Sequence, residues 1–216
     1  MITSWLLTMQ ANKHALKLRR IEKSERGAFL AMQALVKLMQ LANSAYSLKG
    51  TIDEQFDEAE ESGHGDLLPV QKVKEIAGLE TDFEFFLTEE LAFLLHSEDA
   101  DLLGELIVFE KRIISDNQAV AAYNKKRSEL TDRLEAGAVA VDHAKGTVLS
   151  SELKGRDALL VDVRVGALQN LLGTIMERLD REVVDGRNLL NRLKDAARTE
   201  YGKLFPSLKF EEPDKC

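Results

Sequence analysis

Cysteine is nearly missing from this sequence, with a single residue, Cys216, at the very end. A lone terminal thiol excludes an internal disulfide framework and is compatible with a reducing compartment. Proline occurs three times, as Pro69, Pro206 and Pro213, so the long stretches before and between them contain nothing that must break a helix. The four histidines, His14, His64, His96 and His143, are scattered; only Glu61 and His64 stand at Glu-x-x-His spacing, once and in a Gly-His-Gly turn, whereas a di-metal helical bundle needs the motif on two of its helices. A His-Glu-x-x-His zinc motif, a nucleophile elbow, a phosphate loop and a dinucleotide fingerprint are also missing. The chain therefore reads as non-catalytic, with no metal and no cofactor.

Positive charge is in short supply too. The formal net charge is −8, which argues against general nucleic-acid binding, where clustered lysines and arginines supply most of the affinity. A helix-turn-helix outline over Pro69–Gly78 and Asp82–His96 fails for the same reason. Its second helix would carry Asp82, Glu84, Glu89 and Glu90 with no base to meet phosphate. Long apolar runs are missing as well: the N-terminal patch MITSWLLTM is far shorter than the ~20 residues that span a bilayer. It also has no basic region before it and no small-residue cleavage site, so it does not read as a secretory signal.

What is present is helical periodicity. With 44% apolar and 31% charged residues, the chain has the balance of an ordered domain rather than a disordered one. Along Asp99–Ala136, Leu102, Leu106, Phe109, Ile113, Val120, Tyr123, Leu130 and Leu134 recur at gaps of four and three, the mark of a helix packed lengthwise against others. At 1.5 Å per residue this rod would be roughly 60 Å long and needs partners of similar length. Asp116 and Arg127 occupy the two seam positions that are not apolar. There a polar group disfavours burial and can fix register or partner choice through opposite charges on neighbouring helices.

A first long helix is expected over about 4–48, its seam running through Leu18, Ile21, Ala28, Met32, Leu35, Met39, Ala42 and Tyr46, with Gly50 as its stop. Gly27 inside it signals a bend or a close contact. A last long helix is expected over about 156–203. Its seam runs through Val161, Val165, Leu168, Leu172, Ile175 and Leu179, then slips by a stutter to Val183, Gly186, Leu190, Leu193 and Ala197. Gly166 and Gly173 suggest close helix approach. Between the first two rods the composition turns acidic: Thr51–Asp101 holds sixteen acids and only Lys72 and Lys74 as bases. Thr51–Asp66 reads as a mobile connection. Short helices are expected at about 69–77, through Val70, Val73 and Ile76, and at about 82–96, with Phe83, Phe86, Leu87, Leu91 and Leu94 as a buried stripe widened by Phe85, Phe93 and Leu95. Gly137–Gly155 reads as a loop or a broken helical continuation.

The pattern predicts an all-α fold: an elongated antiparallel bundle with coiled-coil-like packing, one domain over 1–205 and a loose tail over 206–216. For function it predicts a structural or protein-interaction bundle, cytoplasmic, that binds a protein partner or itself. The alternative is a membrane-associated cytoplasmic domain at the inner face of a membrane. Trp5 and Leu6 lie in the N-terminal apolar tip, and Met9–Arg26 then carries six bases against two acids. Trp5, Leu6, Lys13, Lys17, Arg19, Arg20 and Lys23 are the candidates for membrane or anion contact; Asp116 and Arg127 are the candidates for register or interaction.

Overall fold

The computed structural model describes residues 2–79, 82–99, 101–135, 138–143, 146–151 and 155–207, with backbone alone for 2–12, 138–143, 146–151 and 156. Three long helices dominate: α1 (Ile2–Glu61), α4 (Leu102–Glu135) and α5 (Arg156–Tyr201), with the short α2 (Pro69–Lys72) and α3 (Thr88–Leu91) between the first two. The long helices pack against one another as an all-α bundle, in agreement with the periodicity. By contacts the chain divides into two compact units. One comprises Met1–Gln40, Glu84–Glu110 and Gly186–Cys216; the other comprises Leu41–Phe83 and Lys111–Asp185.

In the first unit, Ala28, Ala31, Ala34, Leu35 and Leu38 of α1 are buried with Leu91, Phe93 and Leu94, with Leu102, Leu106 and Phe109 of α4, and with Leu189, Leu193 and Ala197 of α5. In the second, the core is Leu41, Ala45, Leu48 and Ile52 of α1, Val70, Val73 and Ile76, Ile113, Val120, Tyr123 and Leu130 of α4, and Leu168, Leu172, Ile175 and Leu179 of α5. From Leu102 to Leu130 the α4 seam is thus the one read from the sequence, while its last expected member, Leu134, is half-buried. The α1 seam is so only in part: Ala28 and Leu35 are buried as expected, but Leu18, Ile21 and Tyr46 are exposed, and small Ala31 and Ala34 lie inside instead, because alanine permits close helix approach where a wider side chain would not fit.

Helix α1 also passes through Gly50 to Glu61, so most of the expected acidic connection is helical. Ile52 is buried, and Lys49 reaches Asp53 one turn on at 2.9 Å and Asp180 at 2.8 Å. Tertiary contact of this kind outweighs the roughly 1 kcal/mol that glycine removes from a helix. The two short helices are shorter than expected. Residues 69–77 are helical only to Lys72, and residues 82–96 only over α3 and a 3-10 turn at Ala92–His96. Side chains from other elements take the backbone groups a helix would have used. Gln55 Oε1 accepts from the Lys74 N–H, and Gln55 Nε2 donates to the Glu75 carbonyl. Asn124 accepts from the Ile76 N–H and donates back to its carbonyl, at 2.9 and 2.8 Å. Likewise the Phe86 N–H donates to Glu110 Oε1 at 2.7 Å. Of the aromatic stripe, Leu91, Phe93 and Leu94 are buried, while Phe85, Leu87 and Leu95 are exposed.

Between α4 and α5 the chain forms an antiparallel hairpin, β1 (Ala138–His143) and β2 (Gly146–Ser151), with Val141 opposite Val148. Neither the expected loop nor a helical continuation occurs over these residues. Repeated valines at 139, 141 and 148 favour extended backbone over helix. The tail expected over 206–216 lies, past residue 207, outside the described residues, as does Cys216.

Gly27 is a point of close approach. A Cβ there would meet Tyr201 Oη at 2.7 Å, and Tyr201 is held against Phe93 with ring centroids 5.7 Å apart. Gly166, by contrast, is exposed with nothing within 4 Å, so the close approach expected there, and equally at Gly173, is not made. Alanine at the two helical glycines should act with opposite sign. Gly166→Ala should raise stability by about 0.5–1 kcal/mol through helix propensity. Gly27→Ala should lower it by about 1–3 kcal/mol, since overpacking outweighs the same gain. Urea unfolding of the two variants checks this, and equal signs would contradict it.

Candidate functional site

The second unit contains a cluster of buried charge where the α4 seam carries Asp116. Here α4 and α5 run antiparallel, as Arg112 faces Glu182 and Asp185 while Ser115 and Asp116 face Arg178. Arg178 Nε lies 2.7 Å from Asp116 Oδ1, with the carboxylate side chain 2% exposed, and Arg178 Nη2 donates to Ser115 Oγ at 3.2 Å. Arg112 Nη2 lies 3.2 Å from Glu182 Oε2 and 2.8 Å from Asp185 Oδ2. Beside them the buried Asn117 amide donates to Ser44 Oγ and to the Ile113 carbonyl.

The electrostatics follow from burial. Neither oxygen of Asp116 has an aligned hydrogen bond, so its link to Arg178 is a charge contact, and Glu182 Oε2 likewise accepts none. Desolvation pushes the Asp116 carboxyl above the ordinary carboxylate range, while the guanidiniums of Arg178, Arg112 and Arg181 pull it back. Glu182 is also pushed up, first by desolvation, with Arg112 opposing and the neighbouring Asp116 and Asp185 adding to the rise.

Glu182 explains the slip expected in the α5 seam. The buried positions run Leu168, Leu172, Ile175, Leu179, Glu182, Gly186, Leu189 and Leu193, an unbroken alternation of four and three. A polar residue at one seam position reads as a stutter when only apolar residues are counted, and the heptad arithmetic alone would have found it. Arg127, the other polar seam residue of α4, is half-buried and has no carboxylate partner among the described residues. Its Nη1 donates to Thr131 Oγ1 at 3.3 Å, its charge acts on the neighbouring Tyr123 hydroxyl, and its Nε is buried without a hydrogen-bond partner.

The N-terminal candidates belong to the first unit. Lys13, Lys17, Arg19, Arg20 and Lys23 are all exposed on α1, next to exposed Leu16, Leu18 and Ile21, and these five bases make no ion pair among the described residues. Trp5 and Leu6 have helical backbone, and their side chains lie outside the described residues. A buried pair that the sequence did not suggest ties the Phe-rich segment down. Lys37 Nζ lies 2.8 Å from Glu90 Oε1 and donates to the Phe85 carbonyl at 2.9 Å, while Glu90 Oε2 accepts from the Leu87 N–H. On the surface, Arg192 clamps Asp99 with two bonds of 2.8 Å and also pairs with Glu105. That contact holds the Asp99 carboxyl below its usual range.

The third feature is apolar. Helix α5 is, by length and composition, able to cross a membrane: one 18-residue window has mean hydropathy 1.3, and 17% of it is buried. Leu159 and Val163 are 64% and 63% exposed there. Among the described residues, no group of three or more His, Cys, Asp or Glu side chains could hold a metal ion. Comparison with protein families, with curated proteins and with solved structures finds no match to this chain.

Proposed function

We propose that this chain is a non-catalytic protein-interaction bundle whose docking face is the start of α5. The observation that carries the reading is the exposure of Leu159, Leu160 and Val163 on a helix that is otherwise anchored by Leu168, Leu172, Ile175 and Leu179. Clustered exposed apolar side chains mark interaction sites more often than free surface. A membrane span of α5 is the weaker use of the same hydropathy, since it would take those four core residues out of their unit. A helix of this kind meets the apolar face of a partner, and the form to test first is self-association. Sedimentation velocity of the full chain over a range of concentrations should show reversible association that Leu159→Glu with Val163→Glu abolishes while the far-UV circular dichroism is unchanged. A monomer at every concentration, or association indifferent to both changes, would sink self-association through this face.

A second reading rests on the exposed basic flank of α1. In it the bundle is a cytoplasmic domain held at the inner face of a membrane through Trp5, Leu6 and the bases Lys13 to Lys23, whose attraction for anionic headgroups is about 1 kcal/mol each. Flotation with anionic vesicles, lost on neutral ones and on Lys17→Glu with Arg20→Glu, is the expected result. Equal behaviour on both vesicle types would remove this reading.

A further inference from the structure

We propose that the groove beside Arg127 is a binding site for a small zwitterion that carries a carboxylate at one end and an ammonium at the other, an ω-amino acid or the side-chain-extended form of a basic amino acid. The groove lies within the second unit and has a volume of about 350 Å³, within the range of small-ligand sites. Its wall is α4, from Arg127 through Ser128 and Thr131 to Asp132 and Glu135, with Lys74 and Glu75 opposite.

The argument starts from a missing counter-charge. Arg112, Arg178 and Arg192 each face a carboxylate at 3.2 Å or less. Arg127 is half-buried and faces none among the described residues. Among the described residues its guanidinium donates only to the neutral Thr131 hydroxyl, and its buried Nε has no hydrogen-bond partner. A desolvated guanidinium left this way is a favourable place for a carboxylate, which its planar fork can take with paired hydrogen bonds. The lining acids then choose between anions. Asp132 and Glu135 stand ~7.5 and ~12 Å further along the helix axis, where they repel a polyanion such as a phosphate ester and attract a cationic end. A carbon chain of roughly five methylenes covers the nearer spacing. Charge at both ends thus selects a ligand with separated charges of opposite sign over a simple anion, and over an α-amino acid with a neutral side chain, whose charges are adjacent.

The probe is ε-aminocaproate, titrated calorimetrically into the full chain, with caproate, n-hexylamine and glycine as controls. Saturable binding of ε-aminocaproate is expected, at least about tenfold tighter than any control, which is about 1.4 kcal/mol. Arg127→Gln should abolish it. Because Arg127 also contacts the core residue Tyr123, Ser128→Phe, which fills the groove from an exposed position, is the second variant and should abolish binding with the fold intact. Binding of caproate as tight as that of ε-aminocaproate, binding that survives Ser128→Phe, or no saturable binding of any probe would each overturn the proposal.

Discussion

Replacing Arg178 with methionine should lower the stability of the chain by about 3 kcal/mol, the lower end of what removing one partner of a buried ion pair does. The lower end applies because Arg178 itself is 28% exposed and because Arg112 and Arg181 still act on the remaining Asp116. The loss should also depend on pH. The Asp116 and Glu182 carboxyls both sit above the ordinary range in the folded chain, so the folded state holds more protons than the unfolded one between their unfolded and folded values. Their contribution to stability is therefore present at low pH and falls as pH rises through that window. Without Arg178 the Asp116 carboxyl moves further up, and the deficit of the variant should shrink on acidification toward pH ~4, the unfolded carboxylate value. The double variant Asp116→Leu with Arg178→Met removes both charges and should return to within about 1 kcal/mol of the parent or above it. Denaturant unfolding at neutral and acid pH measures all three. An Arg178→Met deficit below about 1 kcal/mol at neutral pH, or one that grows in acid, would contradict this account.

The other large effect is expected at Lys37. Its ammonium is 10% exposed and meets a Glu90 side chain that is 2% exposed, so Lys37→Met leaves a carboxylate buried without its cation and should destabilise by about 3–5 kcal/mol. Glu90→Gln should be milder, about 1–2 kcal/mol, because the amide oxygen can still accept from the Leu87 N–H and from Lys37. The location of the loss distinguishes this pair from the Asp116 cluster. Lys37 also holds the Phe85 carbonyl, so Lys37→Met should expose the chain near Phe85 and Leu87 to chymotrypsin before the whole protein unfolds. Cleavage that tracks global unfolding alone would refute the local part of the prediction.

These two sites also mark what the sequence makes legible. The α4 seam could be read in full because its burial obeys one helical period from Leu102 to Leu130, and Asp116 stood out as a polar member of it. Glu182 does not, since a single acid among apolar seam positions reads as a change of phase. Lys37 and Glu90 lie far apart in the chain, and nothing local distinguishes Lys37 from a solvated lysine or Glu90 from its many acidic neighbours. The continuation of α1 beyond Gly50 was hidden for the same kind of reason: it rests on contact with Asp180 and on the burial of Ile52. Periodicity reports which face of a helix is buried, whereas pairing between distant side chains leaves no periodic trace.

The stretch from Val73 to Ile76 leaves the helix at Val73 with extended backbone and is neither helix nor strand. The Tyr123 hydroxyl donates to the Val73 carbonyl, Gln55 takes one N–H and one carbonyl, and Asn124 takes both groups of Ile76. Two side-chain amides thus stand in for the neighbouring strands of a sheet. An extended segment in other proteins presents a row of free donors and acceptors on which a foreign chain can template. Here most of that row is already taken by side chains of the same unit, so the segment offers a foreign chain little to template on.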